Sequence, residues 1–153
     1  MSKFYLFALV NAAAILGTTL PAVAEDNAPE MRLTPKEVAK VPTRTAGTGT
    51  SGLPAVTTTV LFGDPSKPGL YTIELKVAPN TIIQAHTHRD TRTAMGLWYF
   101  GYGLKNEKSS VKVLPSGSFY TEPGGQAHFA RTGPNGAIVA ITGYGPSDTV
   151  YVK

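Results

Sequence analysis

The sequence predicts an all-β protein built from many short strands. Sixteen glycines and twelve prolines divide the 153-residue chain into brief segments, a composition typical of strands and turns rather than long helices. The segment LYTIELKVAP, residues 70–79, alternates apolar and polar side chains, which is the period-2 signature of a half-buried strand. Turn-separated strands of this kind indicate an antiparallel sandwich or barrel.

Residues 1–24 are predicted to be a secretory signal peptide. A positive start, MSK, precedes an apolar run, and AVA before Glu25 fits a small-residue cleavage site. An uncleaved membrane anchor is the alternative, but the run contains Asn11 and falls short of the roughly 20 apolar residues of a spanning helix. The chain has no cysteine, which excludes a cysteine-linked lipid anchor, disulfides and thiolate ligands. We therefore expect a periplasmic or secreted protein with no stable membrane span after removal of the signal.

Residues 25–57 are predicted to be an N-terminal tail. Within it, LTPKEVAK offers Thr34 as an N-cap and Pro35 at the first helical position, so one short helix is expected. The Gly- and Thr-rich stretch that follows is typical of a flexible loop. Residues 58–153 then form the predicted β-barrel domain, and a chain of this length can bury one substantial core.

Nine segments of this domain are expected to form strands. They are TTTVLFG, LYTIELKVAP, TIIQAHTH, GLWYFGYG, SVKVLPSG, GSFYTEPGG, QAHFARTG, AIVAITGYG and TVYVK. The formal charge of +4 is modest, and no stripe of Lys and Arg interleaves with aromatic residues. Nucleic acid is therefore not expected as a partner.

All three histidines of the chain fall in two short segments, QAHTHRD and PGGQAHFA. Alternate residues of a strand point the same way, so Gln84, His86 and His88 are predicted to project together. Two imidazoles on one face can hold one ion, and a closed site needs a third ligand, usually from another strand. His128 is the remaining histidine. The alternative is that these are hydrogen-bonded polar positions with no metal.

The surroundings of the histidines carry a family resemblance. GSFYTEPGGQAHFART resembles the second cupin motif, with Thr132 in place of its final asparagine, and PNTIIQAHTHRD resembles the first, with Asn80 where glycine is usual. The resemblance runs from Leu61 to the C-terminus. The residues at the spacings of the second motif are Gly117, Pro123, Gly125 and His128.

Similarity to small secreted bacterial cupins implies a jelly-roll β-barrel with a site inside its mouth. Carried over residue by residue, it implies that His86, His88 and His128 are the metal ligands. Three-histidine sites among cupins are associated with iron-dependent dioxygenases, so Fe(II) is favoured, whereas zinc, manganese, nickel and copper also occur in the superfamily. The resemblance further implies a small-molecule substrate and is compatible with a homodimer.

One expected ligand is missing. The first cupin motif normally supplies a glutamate shortly after its histidine pair, and that position falls at Arg92 or Thr93. Asp90 is the nearest carboxylate, but we do not expect it to be a ligand.

Further side chains are candidates for catalysis or for lining the site, each with a plainer alternative. Gln84 could be a weak ligand or polar lining. Arg92 could orient a substrate carboxylate or be a solvated loop residue. Glu122 could be a general acid or base or an exposed turn carboxylate. The candidates expected to line the site are Trp98, Phe119 and Gln126, although core packing is the default for a strand aromatic such as Trp98.

These observations favour a periplasmic metal-dependent cupin enzyme that acts on a small organic molecule, with a dioxygenase-type reaction preferred. A non-catalytic cupin that binds a metal or a small ligand is the first alternative. A sugar isomerase or epimerase is the second, and it requires an acid–base pair that the sequence does not locate.

Overall fold

Nine antiparallel strands dominate this computed structural model, which describes residues 30–45, 51–105 and 107–153. The predicted all-β class is confirmed. The predicted signal peptide lies outside the described residues. The elements are α1 (Pro35–Val38), β1 (Thr43–Arg44), β2 (Val56–Phe62), β3 (Gly69–Val77), β4 (Ile82–Thr87), β5 (Arg92–Tyr102), a 3-10 helix (Lys108–Ser110), β6 (Val111–Glu122), β7 (His128–Arg131), β8 (Ala137–Gly145) and β9 (Val150–Tyr151).

The strands form one sheet in the order β1-β2-β3-β8-β5-β7-β4-β9, with β6 also paired to β5. Strand β5 joins the two sides of this sheet. Its first half, from Arg92 to Gly96, pairs with β8, and its second half, from Tyr99 to Tyr102, pairs with β7. The sheet therefore curls at β5, and the strands that carry the histidines, β4 and β7, are held on one side of it.

Two predicted strands are a single strand in the structure. Strand β6 contains most of both predicted segments, SVKVLPSG and GSFYTEPGG, because Pro115 and Gly117 do not end the strand. Among the described residues β6 pairs only with β5, and an edge strand tolerates a proline that lacks a donor. The ladder shifts register opposite Gly96–Trp98, and Gly117 has a φ of 83°, a value that favours glycine.

The core follows the period-2 pattern of β3. Tyr71, Ile73, Leu75 and Val77 are buried, as the alternation predicts, and the side chains between them are only partly buried. Trp98 packs in the same hydrophobic cluster, so core packing describes much of its role.

Replacing Ile73 with alanine should lower the free energy of unfolding by about 2–5 kcal/mol, because Ile73 is 0% exposed and its loss leaves a cavity. Ile138→Ala is the matched control, since this isoleucine lies on neighbouring β8 and is 56% exposed. Urea denaturation of both variants checks the prediction. Equal losses in the two variants would contradict the inward orientation of Ile73.

Helix α1 begins where the sequence predicts. Thr34 is the N-cap and Pro35 occupies the first turn. The Glu37 carboxylate accepts hydrogen bonds from the backbone N–H and the hydroxyl of Thr34, at 2.8 and 2.6 Å. Nowhere in residues 30–45, 51–105 and 107–153 is a helix long and apolar enough to cross a membrane.

Candidate metal centre

The three histidines converge. His86 on β4 lies directly opposite His128 on β7 in the antiparallel ladder, and His88 follows the end of β4. One potential ligand atom from each residue lies within 4.8 Å of the other two. The side chains are only 5%, 3% and 1% exposed for His86, His88 and His128. Metal–nitrogen bonds of about 2.0–2.1 Å allow two ligand nitrogens to lie about 4 Å apart at most. The 4.8 Å limit between the potential ligand atoms is slightly longer, so a bound ion would draw the rings slightly together.

Strand parity does not hold across β4, and the prediction that Gln84 projects with the histidines is corrected. Ile83 and Ala85 are buried, and so is His86, immediately after Ala85. The register with β7 shifts between Ile83 and His86. Such a bulge re-aims the side chains that follow it. As a result His86 is buried, whereas the Gln84 side chain remains exposed on the other face.

The two glutamines act through their backbone carbonyls instead. His86 Nδ1 donates to the Gln84 carbonyl at 2.7 Å, and His128 Nδ1 donates to the Gln126 carbonyl at 3.0 Å. Both contacts lie within the tripeptide Gln-Ala-His, which occurs twice in the chain. The side chain of Gln126 is exposed, so it does not line the site as predicted.

All three imidazoles therefore have the same tautomer. The Nδ1 atom of His88 is hydrogen-bonded to the carbonyl of Asp148. A carbonyl oxygen only accepts, so each Nδ1 carries the proton and each Nε2 presents a bare lone pair. Nε2 of His88 and Nε2 of His128 are buried and have no hydrogen-bond partner. Three lone pairs that converge without a donor fit a cation, and three neutral imidazoles fit a divalent metal.

A buried ion pair adjoins the histidines. Arg92 is 4% exposed and Glu122 is 2% exposed, and they face each other across the β5–β6 ladder. Arg92 Nε donates to Glu122 Oε2 at 2.7 Å, and a second guanidinium nitrogen contacts the same oxygen. Neither a solvated loop arginine nor an exposed turn carboxylate describes these residues. The guanidinium of Arg92 is committed to Glu122 rather than free for a substrate.

Glu122 points towards the metal centre. Its Oε2 lies 3.8 Å from Nε2 of His88 and 3.8 Å from Nε2 of His128. Asp90, in contrast, faces the core, where its Oδ2 accepts a hydrogen bond of 2.6 Å from the Tyr71 hydroxyl. The sequence did not reveal that Glu122 reaches the site, because the contact depends on the pairing of β6 with β5.

The Pro-Gly-Gly turn between Glu122 and His128 is hydrogen-bonded to the segment that contains His88. The backbone N–H of Gly125 donates to the His88 carbonyl at 2.7 Å, and that of Gly124 donates to the Thr91 hydroxyl at 3.0 Å. Gly125 has a φ of 74°, where a residue with Cβ is disfavoured. The turn thus sets the spacing between the two histidine segments.

An aromatic group continues the wall of the site. The Phe100 ring lies 5.5 Å from the His128 ring and 4.3 Å from the Tyr120 ring, and Trp98 lies 5.9 Å from Tyr120. Trp98 Nε1 and Tyr120 Oη are buried without a hydrogen-bond partner. The Tyr120 hydroxyl lies close to the Trp98 indole and to the Glu122 carboxylate.

Phe119 does not belong to this wall, which corrects its predicted role. Its side chain is 62% exposed and stands opposite Met95, which is also exposed. Because neighbours in a strand point to opposite faces, the inward orientation of Tyr120 places Phe119 on the outside of the sheet.

Burial sets the titration of the site. Desolvation, reinforced by neighbouring positive charge, lowers the pKa of His86 to about 4 and the pKa of His88 to about 3. Burial likewise lowers the pKa of His128. Burial alone would raise the pKa of Glu122, but the Arg92 guanidinium and the adjacent histidines outweigh it and lower that pKa. At neutral pH the site therefore holds three neutral imidazoles and one carboxylate.

The metal-free protein should lose stability in mild acid. Unfolded histidines titrate near pH 6.5, whereas the folded pKa of His86 is about 4, so the unfolded chain binds more protons below pH 6.5. The stabilising effect is complete above pH 6.5 and is lost as the pH falls towards 4. The limiting slope is about 1.4 kcal/mol per pH unit for each histidine.

Urea denaturation at several pH values, in the presence of a chelator, measures this dependence of the free energy of unfolding on pH. The control is His86→Gln, which removes one titrating group and should flatten the slope. A free energy of unfolding that stays constant between pH 7 and pH 5 would contradict the burial of neutral histidines.

Comparison with known proteins identifies the fold. No model of a known protein family matches the sequence, and no curated protein matches it. Many solved structures are similar, and three of them illustrate the likeness. The polyketide cyclase RemF from Streptomyces resistomycificus is 18% identical, with a TM-score of 0.59 over 82% of this chain and 87% of that one. An RmlC-like cupin from Shewanella frigidimarina is 17% identical, with a TM-score of 0.53 over 76% and 92%.

The third is an oxalate oxidase, which is 19% identical with a TM-score of 0.52 over 69% of this chain and 60% of that one. At identities this low, structural similarity establishes the fold of the chain but not any reaction that it catalyses. The chain has the cupin fold.

Proposed function

We propose that this protein is an exported, metal-dependent enzyme that acts on a small organic molecule. The observation that carries the proposal is the convergence of three Nε2 lone pairs in a buried site, two of them without any hydrogen-bond partner. Leaving such acceptors buried and unpaired is costly, and a cation removes that cost. Two of the similar structures are named as enzymes, a polyketide cyclase and an oxalate oxidase, which supports catalysis on a small molecule.

The ligand set favours a divalent ion, with Fe(II) preferred and a dioxygenase-type reaction. An ion held by neutral imidazoles keeps its positive charge and would supply Lewis-acid polarisation or oxygen activation. His86, His88 and His128 would hold it, and their Nδ1 hydrogen bonds fix the orientation of the rings.

The surrounding side chains would handle the substrate. Trp98 Nε1 and Tyr120 Oη are buried donors close to each other and, for Tyr120, to Glu122, so they would bind a substrate oxygen. Glu122 is ionised and faces the histidines, so its negative charge would stabilise a cation there. The aromatic rings of Trp98, Phe100 and Tyr120 exclude water from that side.

Elemental analysis of the exported protein, followed by oxygen uptake with diketone, thiol and catechol substrates, tests the proposal. We expect close to one ion per chain and oxygen consumption with at least one substrate class. Absence of metal after reconstitution with iron, zinc and manganese would refute it. N-terminal sequencing of the same exported material checks the proposed cleavage after Ala24.

A binding protein without catalysis is the second candidate. One observation favours it: the guanidinium of Arg92, the buried cation beside the histidines, is already paired with Glu122. A stoichiometric ion with no oxygen uptake on any substrate class would select this candidate.

A further inference from the structure

We propose that Glu122 is the carboxylate ligand of this metal centre and that Arg92 positions it. The inference rests on the metal site of the proposed function. It goes beyond that site by assigning a fourth ligand on a strand where the sequence motifs place none.

The sheet register explains how a carboxylate on β6 can serve where the motif expects one on β5. The first motif expects a glutamate at Arg92 or Thr93, and of these only Arg92, at the start of β5, is buried. Glu122 is the residue directly opposite Arg92 on β6. Directly opposite residues project from the same face with their Cβ atoms about 4.5–5.5 Å apart. A carboxylate at position 122 can therefore reach the same space as one at position 92.

The distances fit ligation better than hydrogen bonding. Glu122 Oε2 is 3.8 Å from Nε2 of both His88 and His128, which is too long for a hydrogen bond. Ligand atoms that share one ion at about 2.0–2.2 Å lie at most about 4.4 Å apart. Glu122 Oε2 is thus within sharing distance of two of the histidine nitrogens.

The chemistry of the facing atoms points the same way. The Nε2 atoms are bare acceptors because each Nδ1 is hydrogen-bonded to a carbonyl, and an ionised carboxylate is also only an acceptor. The Glu122 oxygen and the bare Nε2 atoms of His88 and His128 face one another in a buried space, and such acceptors repel unless a cation lies between them. The carboxylate adds the charge that three neutral imidazoles lack.

Arg92 holds the carboxylate in place. Two of its guanidinium nitrogens contact Glu122 Oε2, which restricts the rotation of the carboxylate. Both side chains are buried, so solvent does not compete for this contact.

Two variants test the assignment. Glu122→Gln keeps the shape of the side chain but leaves the buried charge of Arg92 unpaired, which endangers folding. The double variant Arg92→Met with Glu122→Gln removes both charges and avoids that problem. Each is loaded with Co²⁺ alone, and affinity is measured by competition with a chelator while visible d–d absorption reports the coordination number.

In both variants the Co²⁺ affinity should fall on the order of 100-fold or more, the upper end of the loss seen when groups supporting a metal are removed, and the absorption spectrum should change. Glu122→Asp should retain part of the affinity. A folded double variant with wild-type affinity and spectrum would overturn the inference and leave the three-histidine site standing. A wild-type protein that binds neither Co²⁺ nor any ion in elemental analysis would overturn both.

Discussion

Alanine in place of His128 should abolish stoichiometric metal binding. His128 is 1% exposed, contacts His86 across the β4–β7 ladder, and supplies one of three convergent nitrogens. Its loss leaves two histidines on one strand, which do not close a site. We expect the affinity for Fe(II) or Zn²⁺ to fall on the order of 100-fold or more, measured by equilibrium dialysis with elemental analysis.

The control for His128→Ala is Gln126→Ala. The Gln126 side chain is exposed, and the variant keeps the carbonyl that accepts the hydrogen bond from His128 Nδ1. Metal content should therefore be unchanged. Circular dichroism establishes that both variants are folded. A His128→Ala protein that keeps a full complement of metal would exclude the three-histidine centre.

Alanine in place of Arg92 should lower the free energy of unfolding of the metal-free protein by about 3–5 kcal/mol, the cost of leaving one member of a buried ion pair without its partner. Glu122 is 2% exposed and would have to stay charged alone or take up a proton. Urea denaturation in a chelator measures the loss. Added metal should recover part of it, because an ion at the histidines also neutralises Glu122.

Lys67→Ala is the control for this variant. Lys67 forms an ion pair with Asp64 at 3.2 Å, but both side chains are well exposed, and solvent screens such pairs. Its denaturation midpoint should not change measurably. If Arg92→Ala were no more sensitive to urea than Lys67→Ala, the Arg92–Glu122 pair would not be the buried interaction that the structure shows.

Local patterns predicted the fold class because it depends on neighbours in sequence, whereas the resemblance to the two cupin motifs grouped the three histidines. The alternation in β3 assigns Tyr71 and Ile73 to the core without any knowledge of the other strands. The two histidine motifs likewise predicted a convergence that the structure bears out. The fold class needed no more than turn spacing and this alternation.

The remaining features of the site depend on pairing between distant strands. The bulge in β4 turns His86 inward while Gln84 stays exposed, and only the register with β7 reveals it. The register of β5 with β6 places Glu122 opposite Arg92, thirty residues away. The one signal in the sequence for this pairing was Arg92, a charged residue at the position where the motif has glutamate. An arginine buried at that position needs an acidic partner.

The hydrogen bonds that orient the histidine rings also order the steps by which the centre is assembled. His86 and His128 are each aimed by a carbonyl two residues earlier, so these two rings are oriented as soon as their own tripeptides become extended. His88 depends on Asp148, sixty residues later, and Val152, just after β9, donates its backbone N–H to the Ala85 carbonyl. We therefore expect the third ring to be oriented only when residues 148–152 have docked on β4, so that a chain with this segment undocked has two of its three rings in place to capture an ion.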